Sequence, residues 1–290
     1  MPVSWRLLID EPASGAWNMA LDEALLERYV ASPVPLAPTL RLYGWGPPAL
    51  SLGKAQVMPA GGPDLRYLRR EGIDLVRRPT GGRAVLHARE RTYAVCGMAA
   101  PPFPAGIGGT YLHIAHALRR ALSLLGVPAV IAPARVRAGP PRREPVAACF
   151  DLTSTYEISV SGRKLVGSAQ LRRRAAFLQH GSILIRGDDR LSRVLEADVR
   201  HARFTDLAAC MGRTPSDDEI DRALCEGFAA HFGVAPRRAR LQASERLAAT
   251  RLYSWKYASA AWTLTGRLGK RERRWSPLGP GADPGRNVDY

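Results

Sequence analysis

The chain has 290 residues, with 42 Lys and Arg against 26 Asp and Glu, a net charge of +16 and 46% hydrophobic residues. That apolar fraction suffices for a sizeable core and excludes a disordered coil. No run of 18 apolar residues occurs, and the opening MPVSWRLLIDEP meets two acids by residue 11, so neither a membrane span nor a secretory signal is expected, and a cytoplasmic protein is. The four cysteines, Cys96, Cys149, Cys210 and Cys225, are too widely spaced for a zinc knuckle or a disulfide framework; they read as reduced thiols. The positive charge attracts polyanions, either an acidic protein or nucleic acid, and a plain compositional preference for Arg explains it equally well. No helix-turn-helix, zinc finger or interleaved aromatic and basic motif is present, so nucleic acid is not the expected partner.

In chain order, Ser14 caps a helix through about Tyr29, with Trp17, Leu21, Ala24, Leu25 and Arg28 at helical spacing, until Pro33, Pro35 and Pro38 break it. Strands follow around Leu40 and Leu42, over Pro48 to Leu52 and over Asp74 to Arg77. Tyr111, Ile114, Ala115, Leu118, Leu122 and Leu125 mark a core-facing helix closed by Gly126. Residues 132–146 read as a loop rich in Pro, Gly and Arg. Tyr156, Ile158 and Val160 then alternate, Ser161-Gly162 signals a hairpin turn, and Lys164 to Gln170 and Ala176 to Ile185 continue a meander. Ser216 with Glu219 predicts a capping box, and helices follow over about Ala243 to Leu252 and Trp262 to Leu268. The pattern predicts one α+β domain over residues 1–268 and a Pro/Gly-rich tail over 269–290.

Four segments carry candidate chemistry. Arg77 to His87 places Gly81 and Gly82 among Arg77, Arg78 and Arg83: paired glycines let backbone N–H groups approach a ligand, and arginine offers a planar fork to an anion. An ordinary Gly-Gly turn with solvated arginines is the competing explanation. Cys149 follows the Arg/Pro-rich loop, and Lys164 lies 15 residues on, past the hairpin turn, where a nearby ammonium favours thiolate over thiol. A buried structural thiol and a surface lysine are the alternatives. Gly167, Ser168, Ala169 and Gln170, with Gln179, His180 and Gly181, are small or polar residues in adjacent strands, where a ligand lies against the backbone or two strands pack tightly. His87 and His180 flank this region as general bases or as hydrogen-bonded structural residues. His113 and His116 share a helix face with no third ligand, so no metal site is expected.

Together these segments resemble the biotin/lipoate protein ligase superfamily, and within it the LipM-type octanoyltransferases. The resemblance runs from about residue 5 to 265: Ser14-Gly15-Ala16-Trp17-Asn18-Met19-Ala20-Leu21-Asp22, Leu40 to Trp45, Leu50 to Gly53 with Gln56, the glycine loop, Cys149-Phe150-Asp151, Gly162 to Gln170, and Gln179 to Leu184. The family usually has His-Asp after the glycine loop, whereas His87 here precedes Ala88.

The resemblance implies a central, largely antiparallel sheet flanked by helices and an acyl tunnel beside Gly81 and Gly82. Arg78, Arg83, His87, Gly167, Ser168, Ala169, Gln170, His180 and Gly181 would be substrate-binding. Cys149 would take octanoyl from octanoyl acyl carrier protein as a thioester, with Lys164 lowering the thiol pKa. A lysine of a lipoyl domain, of the glycine cleavage H protein or a 2-oxoacid dehydrogenase subunit, would receive it. No metal, ATP or other cofactor is implied. ATP-dependent lipoate ligation, octanoyl amidotransfer between lipoyl domains, and a non-catalytic nucleic-acid-binding protein of the same fold are the alternatives, the ligases generally lacking a cysteine that matches Cys149.

Overall fold

A computed structural model describes residues 4–57, 63–132, 156–194 and 204–268. Strand β1 (Arg6–Ile9) precedes helix α1 (Gly15–Ala31), whose first turn is closed by Ser14 Oγ accepting from Trp17 N–H. Then come β2 (Thr39–Tyr43), β3 (Ala49–Leu52), α2 (Leu65–Arg70), β4 (Asp74–Arg77), β5 (Val85–His87) and β6 (Glu90–Met98). Helix α3 (Ile107–Leu124) leads to β7 (Val130–Ile131), β8 (Ile158–Val160), β9 (Arg163–Arg173) and β10 (Ala176–Leu184). The rest is mostly helical: α4 (Arg190–Val194), α5 (Leu207–Met211), α6 (Asp217–Phe232), the short β11 (Arg237–Arg238), α7 (Ala243–Leu252), a π-helical turn (Tyr253–Tyr257) and α8 (Ala260–Thr265).

The main sheet has the order β11-β1-β2-β6-β10-β9-β8-β7, and a second sheet the order β4-β3-β5. In the main sheet β1 runs parallel to β2 and β11, and the five remaining pairings are antiparallel. The expected α+β domain with a largely antiparallel sheet is the observed one. Side chains alternate across the sheet. Leu40, Leu42, Tyr93, Val95 and Phe177 pack under α3 and α6, while Tyr43, Ala94, Cys96 and Leu178 pack under α1 and α7. The small sheet has its own core, in which Leu50, Leu52 and Leu86 meet Tyr67 and Leu68 of α2.

Local signals were accurate where backbone geometry is demanding. Ser161 and Gly162 both adopt positive φ, 50° and 74°, as a tight hairpin between β8 and β9 requires. Gly126, at φ +75°, follows α3, but that helix starts at Ile107, four residues before the first residue of the apolar stripe. The box at Ser216 is half-formed: Ser216 Oγ accepts from Glu219 N–H, while the Glu219 carboxylate turns to Arg213. A reciprocal box closes α7 instead, between Gln242 and Glu245. The 269–290 tail and all but Ala132 of the 132–146 loop lie outside the described residues.

Candidate active site

The glycine loop joins β4 to β5, and two of its arginines hold it in place. Arg77, 1% exposed, donates to the carbonyls of Gly53, Gln56, Thr263 and Leu264, and Trp262 Nε1 donates back to its carbonyl. Arg78 donates to Ser51 Oγ at 3.0 Å and to the carbonyls of Gly81 and Arg83 at 2.9 and 2.7 Å. Five donors in a rigid fork suit this use, because loop carbonyls have no strand partner. The Arg83 guanidinium, half-buried, has no hydrogen-bond or ion-pair partner among the described residues. Gly81 is exposed, and a Cβ there would meet nothing within 4 Å. Gly82 has φ +96°, and its carbonyl packs so closely on Gly53 that a Cβ at Gly53 would lie 1.8 Å from it.

His180 ties this loop to the main sheet. Its Nδ1 lies 2.8 Å from Asp22 Oδ2 and its Nε2 2.7 Å from Thr80 Oγ1. A carboxylate only accepts, so Nδ1 carries a proton, and in the neutral ring Nε2 accepts from the Thr80 hydroxyl. Asp22 also accepts from Arg41 Nη1 at 2.6 Å and Tyr43 OH at 2.8 Å. Burial pushes the Asp22 carboxyl up, but Arg41 and His180 outweigh it and hold it below the usual carboxylate range. A second network surrounds His87, whose Nε2 meets Ser51 Oγ and whose Nδ1 meets Glu90 Oε1, both at 2.7 Å, under the Trp45 ring stacked 3.9 Å away. Glu90 also accepts from Thr92 and Ser182. Burial again raises this carboxyl, and His87 with these donors brings it below its ordinary value. Both nitrogens of each histidine are therefore engaged by protein groups.

Strands β9 and β10 pair Gly167 with Ser182, Ser168 with Gly181, Ala169 with His180 and Gln170 with Gln179. The polar members form a chain: Gln170 donates to Gln179, Gln179 to Tyr93 OH at 3.0 Å, and Tyr93 OH lies 2.7 Å from Ser168 Oγ. A Cβ at Gly181 would meet the Gly167 carbonyl and Ser168 Oγ at 2.6 Å, so the missing side chain there admits the neighbouring strand. Lys164, the second residue of β9, is 2% exposed, and its ammonium donates to Glu157 Oε1. Its carbonyl accepts from Thr205 N–H at 2.8 Å.

The structure thus brings Arg78, Gly81, Gly82, Arg83 and His180 together through Thr80, and sets Gly167, Ser168, Ala169, Gln170 and Gly181 on the strands beside them. Cys149 lies outside the described residues. Glu157 was missed by sequence reasoning, and Asp22, Gly53 and Thr80 were noted only as parts of motifs. Asp22 and Asn18, polar residues one turn apart among Met19, Ala20, Leu21 and Leu25 of α1, were the available signal for the first network. His113 and His116 meet His231 of α6, whose Nε2 lies 3.3 Å from His113 Nδ1. No group of His, Cys, Asp or Glu that could hold a metal ion occurs among the described residues, nor any helix long and apolar enough to cross a membrane.

Residues 14–229 match the family model of the lipoyl protein ligase A/B catalytic domain. The chain is 42% identical to an octanoyltransferase LipM from Kyrpidia tusciae, over 89% of this chain and 98% of that one. It is 40% identical to the octanoyltransferase LipM of Symbiobacterium thermophilum, over 91% and 99%. Among solved structures, a lipoate protein ligase from T. acidophilum with bound lipoic acid superposes with a TM-score of 0.72 at 27% identity, covering 90% of this chain and 99% of that one. A lipoate-protein ligase A bound with ATP gives 0.75 at 26% identity, over 91% and 100%.

Proposed function

The chain belongs to the lipoyl protein ligase A/B catalytic domain family and is an octanoyl-transferring enzyme of protein lipoylation; on that premise we propose that octanoyl acyl carrier protein is its donor, Cys149 its nucleophile and a lipoyl-domain lysine its acceptor. The observation that carries the mechanism is the buried Lys164 ammonium, held by Glu157 across the β8–β9 hairpin. A buried cation beside a thiol favours its ionised form. The Cys149 thiolate attacks the donor's thioester carbon, the carrier's sulfur leaves and takes a proton, and the acyl group stays on Cys149. The neutral acceptor amine then attacks that carbonyl, the carbon–sulfur bond breaks, and the nitrogen's surplus proton goes to the departing Cys149 sulfur.

In this reading the acyl chain runs beside Gly81 and Gly82 and along Gly167 to Gln170 and Gly181. Arg78 shapes the loop, and Arg83 supplies the cation still uncommitted there. His180 and His87 hold the wall through Asp22 and Glu90. The acceptors are the glycine cleavage H protein or 2-oxoacid dehydrogenase subunits, and both partners put the reaction in the cytoplasm. The likeness to a ligase bound with ATP supports a second reading, ATP-dependent lipoate ligation, which needs no cysteine.

Intact-protein mass spectrometry with octanoyl acyl carrier protein, without ATP, separates the two. A hydroxylamine-labile octanoyl group mapped to Cys149, absent from Cys149→Ala, upholds the thioester route. No adduct, with acyl-adenylate formed from ATP and free acid, moves the chain to the ligase branch. Full transfer by Cys149→Ala would also end the covalent reading.

A further inference from the structure

The outer edge of the small sheet carries positive charge that neighbouring carboxylates balance only in part. Helix α2 exposes Arg66, Arg69 and Arg70 around Leu65, itself 40% exposed. Helix α4, tied to the start of α2 by Asp64 N–H donating to the Val194 carbonyl at 3.3 Å, adds Arg190 and Arg193. The β5–β6 turn adds Arg89, whose carbonyl accepts from the N–H groups of Ile185 and Arg186. The surface is continuous, since Asp188, the ion-pair partner of Arg190, lines one cleft with Arg89 and Arg186. Arg70 pairs with Glu71 at 3.3 Å and Arg190 with Asp188 at 2.7 Å. Among the described residues, Arg66, Arg69, Arg89, Arg186 and Arg193 have no carboxylate within ion-pair distance.

This belt adjoins the candidate active site. Arg89 and Arg186 line a small cleft with Leu86 and Phe204; Leu86 precedes His87, and Phe204 pairs with Lys164 in an isolated parallel bridge. Arginines left without counter-charge around an exposed leucine have the composition of an interface and the field that steers an acidic partner. The octanoyl chain is uncharged, so a pocket for it does not attract its carrier, and that attraction falls to the protein surface beside the site. We propose that this arginine belt docks the acidic carrier protein that delivers the acyl thioester. The proposal rests on the donor named under Proposed function.

The test is single-turnover acylation of the full chain, read by intact mass, from octanoyl acyl carrier protein and from octanoyl-N-acetylcysteamine, which has no carrier surface. Arg66→Glu with Arg69→Glu, both solvent-exposed, should slow acylation from the carrier by about tenfold or more at low salt, leave the small thioester within about twofold, and flatten the salt dependence of the carrier reaction. Equal slowing with both donors, or no slowing with the carrier, overturns the proposal. So does slowing confined to transfer from preloaded enzyme to a lipoyl domain, which would give this face to the acceptor. If wild-type protein is acylated by neither donor, the cysteine reading fails, and calorimetric titration with the carrier decides the belt: weaker binding to the double variant upholds it, equal binding overturns it.

Discussion

The Asp22 carboxylate and His180 Nδ1 lie 2.8 Å apart, 158 residues distant in sequence, and join α1 to β10. Through His180 the bond reaches Thr80 and the glycine loop, and through Arg41 it reaches Asp10 and Asn18. One buried carboxylate therefore fixes a helix, two strands and the loop. Asp22→Asn preserves shape but leaves the Arg41 guanidinium with the partly exposed Asp10 as its remaining counter-charge. Removing one partner of a buried pair costs about 3–5 kcal/mol; with Asp10 retained, about 3 kcal/mol is expected in urea unfolding. A loss below 1 kcal/mol would show that Asp10 and Asn18 suffice to compensate Arg41.

Acid sensitivity follows from the same carboxylates. Against burial, which raises them, Asp22 and Glu90 are held below their ordinary values, and Glu23 is brought to about 2 by Lys256, Arg173 and Tyr257. A carboxyl whose pKa is lower folded than unfolded contributes stability above its unfolded value, and that stability is lost as pH falls through the folded value. The melting temperature should therefore hold down to about pH 5, where unfolded carboxyls are still ionised, and fall steeply from about pH 4 towards pH 2. Glu23→Gln should shallow that decline. An unchanged slope in that variant would place the acid-sensitive groups elsewhere.

Elements with strong local codes were legible in the sequence, and pairings made at a distance were not. Ser14 announced α1, and the positive φ of Ser161 and Gly162 answers to the turn that their identities predicted. Strand β11 had no such code: Arg237 and Arg238 join the sheet only because Arg6 and Leu7 offer a free parallel edge. At the site, Gly82 of the glycine loop takes a positive φ of 96° that favours glycine. The loop's arginines were read either as ligands for an anion or as solvated side chains, whereas the guanidinium groups of Arg77 and Arg78 hold backbone carbonyls, and composition cannot tell a fork aimed at carbonyls from one aimed at solvent. Lys164 was expected beside the Cys149 segment. Its described partner, Glu157, lies just before β8, whose pairing with β9 shifts register between Ile158 and Ser159, which alternation alone does not reveal.

The Glu157–Lys164 pair separates stability from chemistry. Both side chains are 2% exposed, so Glu157→Gln leaves a buried cation and should cost about 3 kcal/mol or more. Lys164→Met in the same chain removes that cation and should recover most of the loss. Octanoyl transfer should not recover, because the double variant has no ammonium to favour a thiolate. Urea unfolding and acyl-enzyme formation measured on the two single variants and the double variant check both halves. Recovery of transfer together with stability would make Lys164 a structural residue.

Gly53 tests whether the glycine loop must sit where it does. A Cβ at this position would lie 1.8 Å from the Gly82 carbonyl oxygen and 2.8 Å from its carbon, both backbone atoms that no rotamer change can move. Gly53→Ala must therefore displace the loop by more than an ångström, while Leu50 and Leu52 of β3 keep their places in the small core. A misplacement of about 1 Å can cost about a hundredfold in rate. Transfer should fall on that order, with a much smaller change in melting temperature, and Gly81→Ala, which would meet nothing within 4 Å, should be far milder. Equal effects of the two substitutions on kcat/KM would mean that the close approach of Gly53 to Gly82 does not set the geometry of the site.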